Sequence, residues 1–126
     1  MSKSKWSFDE PKFGDIIRVE IKNSIYHYGI YVSDDEVIQY GLASDAFNTV
    51  SENVMVLSST IKEFLNGKFL EKRNYTLHEK ITKNKPNEVV LKAKARLGEK
   101  KYNLLTNNCE HFVNECVFNK HISEQV

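Results

Sequence analysis

The side chains able to do covalent chemistry near neutral pH are two thiols, Cys109 and Cys116, and four imidazoles, His27, His78, His111 and His121. Cys109 follows Asn107-Asn108 and begins the stripe Cys109, Phe112, Val113, Cys116, Val117, whose i, i+3, i+4, i+7, i+8 spacing predicts an amphipathic helix with Cys109 in its first turn. A helix N-terminus carries unpaired N–H groups and positive partial charge, so a thiol there is biased toward thiolate. That bias alone is a small effect. Lowering a thiol pKa from about 8.5 by two units raises the thiolate fraction at pH 7 about 25-fold, and a Brønsted slope of ~0.45 returns roughly 8-fold in lost nucleophilicity, leaving about 3-fold. A working nucleophile therefore also needs an imidazole to manage protons and N–H donors for a developing oxyanion, each worth on the order of 100-fold. The helix turn is expected to supply the donors.

His27 is the candidate base, because it falls in a β-rich run, Tyr26 to Val32, on the face shared with Gly29 and Tyr31, where strand geometry fixes its direction. His111 is two residues from Cys109, about 200° around a helix axis, so the two side chains point apart and His111 is assigned to support the helix start. His78 and His121 lie in polar surroundings and read as surface residues. Gln39 is the candidate third member, orienting the imidazole, and its reach depends on hairpin register. A four-residue turn over Ser33 to Glu36 pairs residues summing to 69 and turns Gln39 away. A three-residue loop, Ser33 to Asp35, makes the sum 68 and puts Gln39 opposite Gly29 on the His27 face. The three-residue loop is expected, ending in a left-handed Asp.

The elements that must hold these residues are strands first and helices second. Ile17, Val19 and Ile21 alternate with polar residues over Asp15 to Ile21, the pattern of a half-buried strand. Tyr26 to Val32 and Glu36 to Tyr40 form a hairpin, and Val54 to Leu57 a further strand. Thr60-x-x-Glu63 is a capping box before a short helix ending at Asn66-Gly67, and Asn74 to Glu79 is read as one more strand. Pro86 opens a helix with Val90, Ala93 and Leu97 on one face and Gly98 as its left-handed end. The last helix takes Asn107 as N-cap with Glu110 as box partner. This order is that of an α+β domain, an antiparallel β-sheet packed against helices.

Composition bounds the rest. A chain of 126 residues with 40% apolar and 28% charged residues suits one folded domain, neither disordered nor collagenous. Apolar runs are far below the roughly 18 residues that cross a bilayer, and no secretory signal follows Met1, so the expected setting is cytoplasmic, with free thiols. Cys116 lies two turns beyond Cys109, roughly 10 Å away, beyond the ~7 Å limit for a disulfide. Net charge is +1. The stretch Lys80 to Lys101 is locally basic, without the aromatic interleaving of a nucleic-acid binder, and is a candidate for peripheral contact with anionic membrane. No residue set points to a metal or another cofactor.

Asn107-Asn-Cys-Glu-His-Phe-Val113 resembles the NCEHFV box of the lecithin:retinol acyltransferase family, which includes the HRAS-like phospholipase/acyltransferases. His27-Tyr-Gly-Ile-Tyr-Val32 resembles that family's histidine strand, Gly14-Asp15 its opening strand, and Tyr102-Asn-Leu-Leu-Thr106 its approach to the cysteine box, together covering most of the chain in family order. The resemblance implies one domain over 1–126 with a circularly permuted papain-like fold, its His-bearing sheet at about 13–57 and its Cys-bearing helix at about 107–119. It implies Cys109 as nucleophile and His27 as general base. The family's third position, twelve residues after the first histidine, is usually a second histidine. Here it is Gln39, which holds an imidazole by a hydrogen bond but does not titrate. The expected reaction is acyl transfer from, or hydrolysis of, an acyl ester such as a glycerophospholipid through a thioester on Cys109. A thiol peptidase or amidase, using the same pair, is the rival enzyme class, and a non-catalytic binding or regulatory module the rival outside enzymes.

Overall fold

The structure is a computed structural model that describes residues 4–41, 54–103 and 107–124. Its strands are β1 (Trp6–Ser7), β2 (Ile16–Lys22), β3 (Ile25–Ser33), β4 (Glu36–Tyr40), β5 (Val56–Ser59) and β6 (Glu71–Arg73). Its helices are α1 (Ile61–Leu65), α2 (Leu77–Thr82), α3 (Pro86–Ala95) and α4 (Cys109–Phe118). The six strands form one antiparallel sheet in the order β1-β6-β2-β3-β4-β5, so the domain is α+β, as the element order predicts. Among the described residues no helix is long and apolar enough to cross a membrane.

Period-two alternation divides the sheet into two buried faces. Ile16, Tyr28, Ile30, Ile38, Tyr40 and Val56 point to one side, where Val89, Val90 and Ala93 of α3 and Phe112, Val113, Cys116 and Val117 of α4 complete the main core. Ile17, Val19 and Val37 point to the other side and are covered by Phe64 of α1. Both faces being apolar explains why β3 and β4 read as near-continuous hydrophobic runs. The far edge is clamped by aromatic stacking: the Trp6 ring lies 5.8 Å from Tyr28, and the Arg18 guanidinium sits 3.9 Å over Trp6 and 3.7 Å over Tyr26.

The hairpin has the expected register by a different route. Gly29↔Gln39, Ile30↔Ile38 and Tyr31↔Val37 all sum to 68, but Ser33 pairs with Glu36, so Asp34-Asp35 is a two-residue turn and the extra residue, Val32, forms a bulge. Neither aspartate is left-handed, contrary to the expected loop. The capping box of α1 is present in full: Glu63 N–H donates to Thr60 Oγ1, and Thr60 N–H donates to Glu63 Oε1.

Four other expectations are corrected. The strand expected at Val54 to Leu57 runs instead from Val56 to Ser59, because pairing with β4 continues through the polar Ser58-Ser59. Asn74 to Glu79 is not a strand. Thr76 and Glu79 form a second capping box, which starts α2 at Leu77, and the neighbouring strand is the shorter β6. In α3 the buried residues are Val89, Val90 and Ala93, while Leu97 lies beyond the helix end and is 43% exposed. Gly98 is left-handed, as expected (φ +87°). The N-cap of α4 is Asn108 rather than Asn107, and its box partner is His111 rather than Glu110.

Candidate active site

His27 is paired with Val19 of β2 and is 1% exposed, on the sheet face that carries Val37 and Phe64. Its ring lies 5.5 Å from the Phe64 ring. Gly29 makes that wall possible: a Cβ there would come within 2.8 Å of Phe64 Cε1 and 2.9 Å of Val37 Cγ1. Any larger residue at 29 would force the Phe64 or Val37 side chain to shift.

Proton positions in this site follow from one backbone carbonyl. Ser59 Oγ donates to Thr60 O at 3.1 Å, which uses its single proton. Ser59 Oγ therefore accepts from Gln39 Nε2, 2.5 Å away. That orientation turns Gln39 Oε1 toward His27 Nε2 at 2.6 Å, and an amide oxygen only accepts. His27 Nε2 thus carries a proton, and in the neutral imidazole the lone pair is on Nδ1. The chain His27, Gln39, Ser59, Thr60 O is buried throughout its side chains, Ser59 being the most exposed at 7%. His27 and Gln39, both singled out from the sequence, are hydrogen-bonded to each other, and Ser59, which the sequence does not single out, extends the chain from its place immediately before the Thr60 cap.

Cys109 occupies the first position of α4 and is 4% exposed. Asn108 Oδ1 accepts from the N–H groups of both Glu110 and His111, at 2.9 and 3.0 Å. Asn108 N–H donates to His111 Nδ1 at 3.0 Å, so His111 supports the helix start as expected, in the place a Glu or Gln usually fills. Burial, and next to it the stacked His121 ring, lower the pKa of His111, which favours the neutral ring that this bond requires. The cap thereby engages two of the first-turn donors, the N–H groups of Glu110 and His111. His121 is surface-exposed as expected, and it also pairs with Glu115. His78 is exposed.

Both thiols are free. Burial pushes the Cys116 thiol up to about 12, which leaves it protonated and inert at neutral pH. Beside Cys109, the Glu110 carboxylate accepts from Ser123 Oγ at 2.9 Å and from Glu124 N–H at 2.7 Å. Burial and that carboxylate raise the pKa of Tyr28, keeping its phenol neutral.

The structure joins His27 directly to Gln39. Cys109 belongs to the core on the Tyr28 face, whereas His27, the preceding residue of the strand, turns to the Phe64 face. The β3–β4 ladder ends beside this strand position, Gly29↔Gln39 being its final pair. Tyr40, next to Gln39, fixes α4 there: its ring packs edge-on against Phe112 at 6.0 Å, and its hydroxyl accepts from Lys101 N–H at 2.6 Å, on the approach to the cysteine. Positions 104–106 of that approach lie outside the described residues. Among the described residues no cluster of His, Cys, Asp and Glu has metal-binding geometry.

The family model described as lecithin retinol acyltransferase matches residues 9–122. Human phospholipase A and acyltransferase 4 is 29% identical over 127 residues, covering 93% of this chain and 76% of that protein. Rat lecithin retinol acyltransferase is 33% identical over 133 residues, covering 89% of this chain, and the human protein of that name is 32% identical. The chain spans 56% of the length of those two lecithin retinol acyltransferases. These relatives are named for acyltransferase and phospholipase activity, and the chain belongs to the lecithin retinol acyltransferase family.

Proposed function

We propose that the chain is a cysteine-dependent acyltransferase and phospholipase that takes acyl groups from glycerophospholipid esters. Cys109 is the nucleophile. Its Sγ–H proton passes to His27 Nδ1, sulfur bonds to the ester carbonyl carbon, and the carbonyl–oxygen bond breaks. The imidazolium returns the proton to the departing lysophospholipid oxygen, leaving an acyl-thioester. Water, an alcohol or an amine then attacks the thioester, with His27 taking the attacking group's proton and returning it to sulfur. Gln39 and Ser59 position the imidazole without titrating, and the basic stretch Lys80–Lys101 draws the domain to anionic lipid.

The observation that supports this reading most is the buried chain from Thr60 O to His27 Nε2, which leaves Nδ1 as the basic nitrogen. A core histidine needing only satisfaction would not require a tautomer specified through three residues. Incubation with phosphatidylcholine followed by intact mass spectrometry tests it. The expected result is one added acyl mass, labile to hydroxylamine and lost in Cys109→Ala. An adduct that persists in Cys109→Ala, or none in the native chain under turnover, overturns the reading.

A further inference from the structure

Helix α2 is built inside out. A surface helix ordinarily turns its apolar stripe to the core, yet Leu77 and Ile81, at i and i+4, are 76% and 74% exposed, and no residue of α2 is buried. On its other side His78, Glu79 and Thr82 line a cavity of 350 Å³ between α2 and α4, with His78 and Thr82 still exposed and Glu79 half-buried. Glu79 is clamped there by both guanidinium nitrogens of Arg73, at 3.0 and 2.8 Å, so the outward set of Leu77 and Ile81 is anchored. Lys80 and Lys85, close in sequence to the apolar pair, are exposed, and Lys83, which lines the cavity, donates to Asn84 O at 3.3 Å with its ammonium 5.0 Å over the Tyr75 ring. The same cavity reaches Glu110, the residue after Cys109.

We propose that α2 seats the protein on an anionic lipid bilayer. Leu77 and Ile81 enter the boundary between headgroups and acyl chains, Lys80, Lys83 and Lys85 meet lipid phosphates, and the mouth of the cavity faces the membrane. The proposal rests on the phospholipid reading above and adds where the lipid surface is met. The charge pattern selects a bilayer over a protein partner. Specific protein interfaces bury about 800 Å² on each side with lysine depleted from the patch, whereas exposed aliphatic side chains with lysines close by in the chain are the pattern of a helix lying in a membrane interface.

Vesicle co-sedimentation of the whole chain tests it, using phosphatidylcholine with and without about one-third phosphatidylserine. The wild type is expected to prefer the anionic vesicles. Leu77→Ser/Ile81→Ser is expected to weaken binding at least about 10-fold with no loss of helix signal or melting temperature, since both side chains are exposed. Lys80→Glu/Lys85→Glu is expected to remove the anionic preference, at about 5-fold per lysine. Equal binding by wild type and variants, or no wild-type binding to either vesicle, overturns the proposal. So does a wild-type dimer split by the serine variant, which would make a second copy the occupant. Hydrolysis of soluble p-nitrophenyl acetate separates this from the activity reading. The serine variant should keep that activity while losing turnover of vesicle lipid; vesicle binding without hydrolysis of either substrate overturns the activity and leaves the docking surface standing.

Discussion

Ser59→Ala removes the group that sets the direction of the hydrogen bonds around His27. In the native site the reverse orientation of the Gln39 amide requires Ser59 to withdraw its proton from Thr60 O, a loss of one neutral hydrogen bond, about 1 kcal/mol, or roughly a 5-fold bias toward the observed orientation. With alanine at 59 that bias disappears, and the Gln39 amine, 0% exposed, loses its acceptor. The unsatisfied amine costs about 1–3 kcal/mol, roughly 4 °C of melting temperature per kcal/mol in a domain of this size. The amide relieves it by turning its amine to His27 Nε2, which then accepts, so the proton moves to Nδ1 and the basic nitrogen is lost. Nitrogen-15 correlation of the imidazole reads this directly: a single Nε2–H form in the native chain, a mixture in Ser59→Ala, and restoration in Ser59→Thr, which keeps the hydroxyl. The proposed phospholipid turnover is expected to fall roughly 2- to 5-fold with the mixture. A lowered melting temperature with the Nε2–H form and turnover unchanged would refute the reasoning and reduce Ser59 to packing.

Gly29→Ala is expected to cost about 1–3 kcal/mol by overpacking against Phe64, and Phe64→Leu in the same chain should recover part of it, as a double-mutant cycle by chemical denaturation would measure. Asn108→Ala removes the N-cap of α4 and should cost about 2 kcal/mol, the upper end for such changes because the residue is fully buried, with thiol reactivity at Cys109 reduced in alkylation assays. The Arg73 guanidinium holds Glu79 down to about 2 from an ordinary 4.5, so this carboxylate stabilises the folded state above the ordinary value and that contribution is lost as pH falls from 4.5 through 2. Denaturation midpoints in that window should therefore drop less in Glu79→Gln than in the native chain, and parallel profiles would contradict the assignment.

What was legible in the sequence was local or periodic. The sum-68 register followed from which face His27 and Gln39 had to share, and the Thr60/Glu63 box from two polar side chains at fixed spacing. The failures came where long-range pairing overrode local pattern. Val54 to Leu57 is the more apolar run, but the partner strand β4 selects Val56 to Ser59, and Ser59 enters the site through that shift. Thr76 and Glu79 carry the same cap signature as Thr60 and Glu63, but no residue of α2 is buried, so no apolar stripe marks it as a helix in the sequence. At α4 both Asn107 and Asn108 are capping residue types, and the choice went to Asn108 because His111 closes its box. Asn107 instead donates to Lys101 O at 2.9 Å, on the approach to the cysteine. The turn at Asp34-Asp35 shows that register and loop length are separable: the Val32 bulge restores the pairing that a longer loop was expected to provide.

The partnership of Cys109 with His27 is tested most directly by the rate of alkylation of Cys109 as a function of pH, read by peptide mass spectrometry in the native chain and in His27→Ala. Cys116, with its thiol near 12, should stay unmodified at neutral pH in both and serves as the internal reference. The native profile is expected to carry an inflection in the imidazole range that His27→Ala abolishes, leaving a simple thiol titration. Superimposable profiles in the two proteins would contradict it.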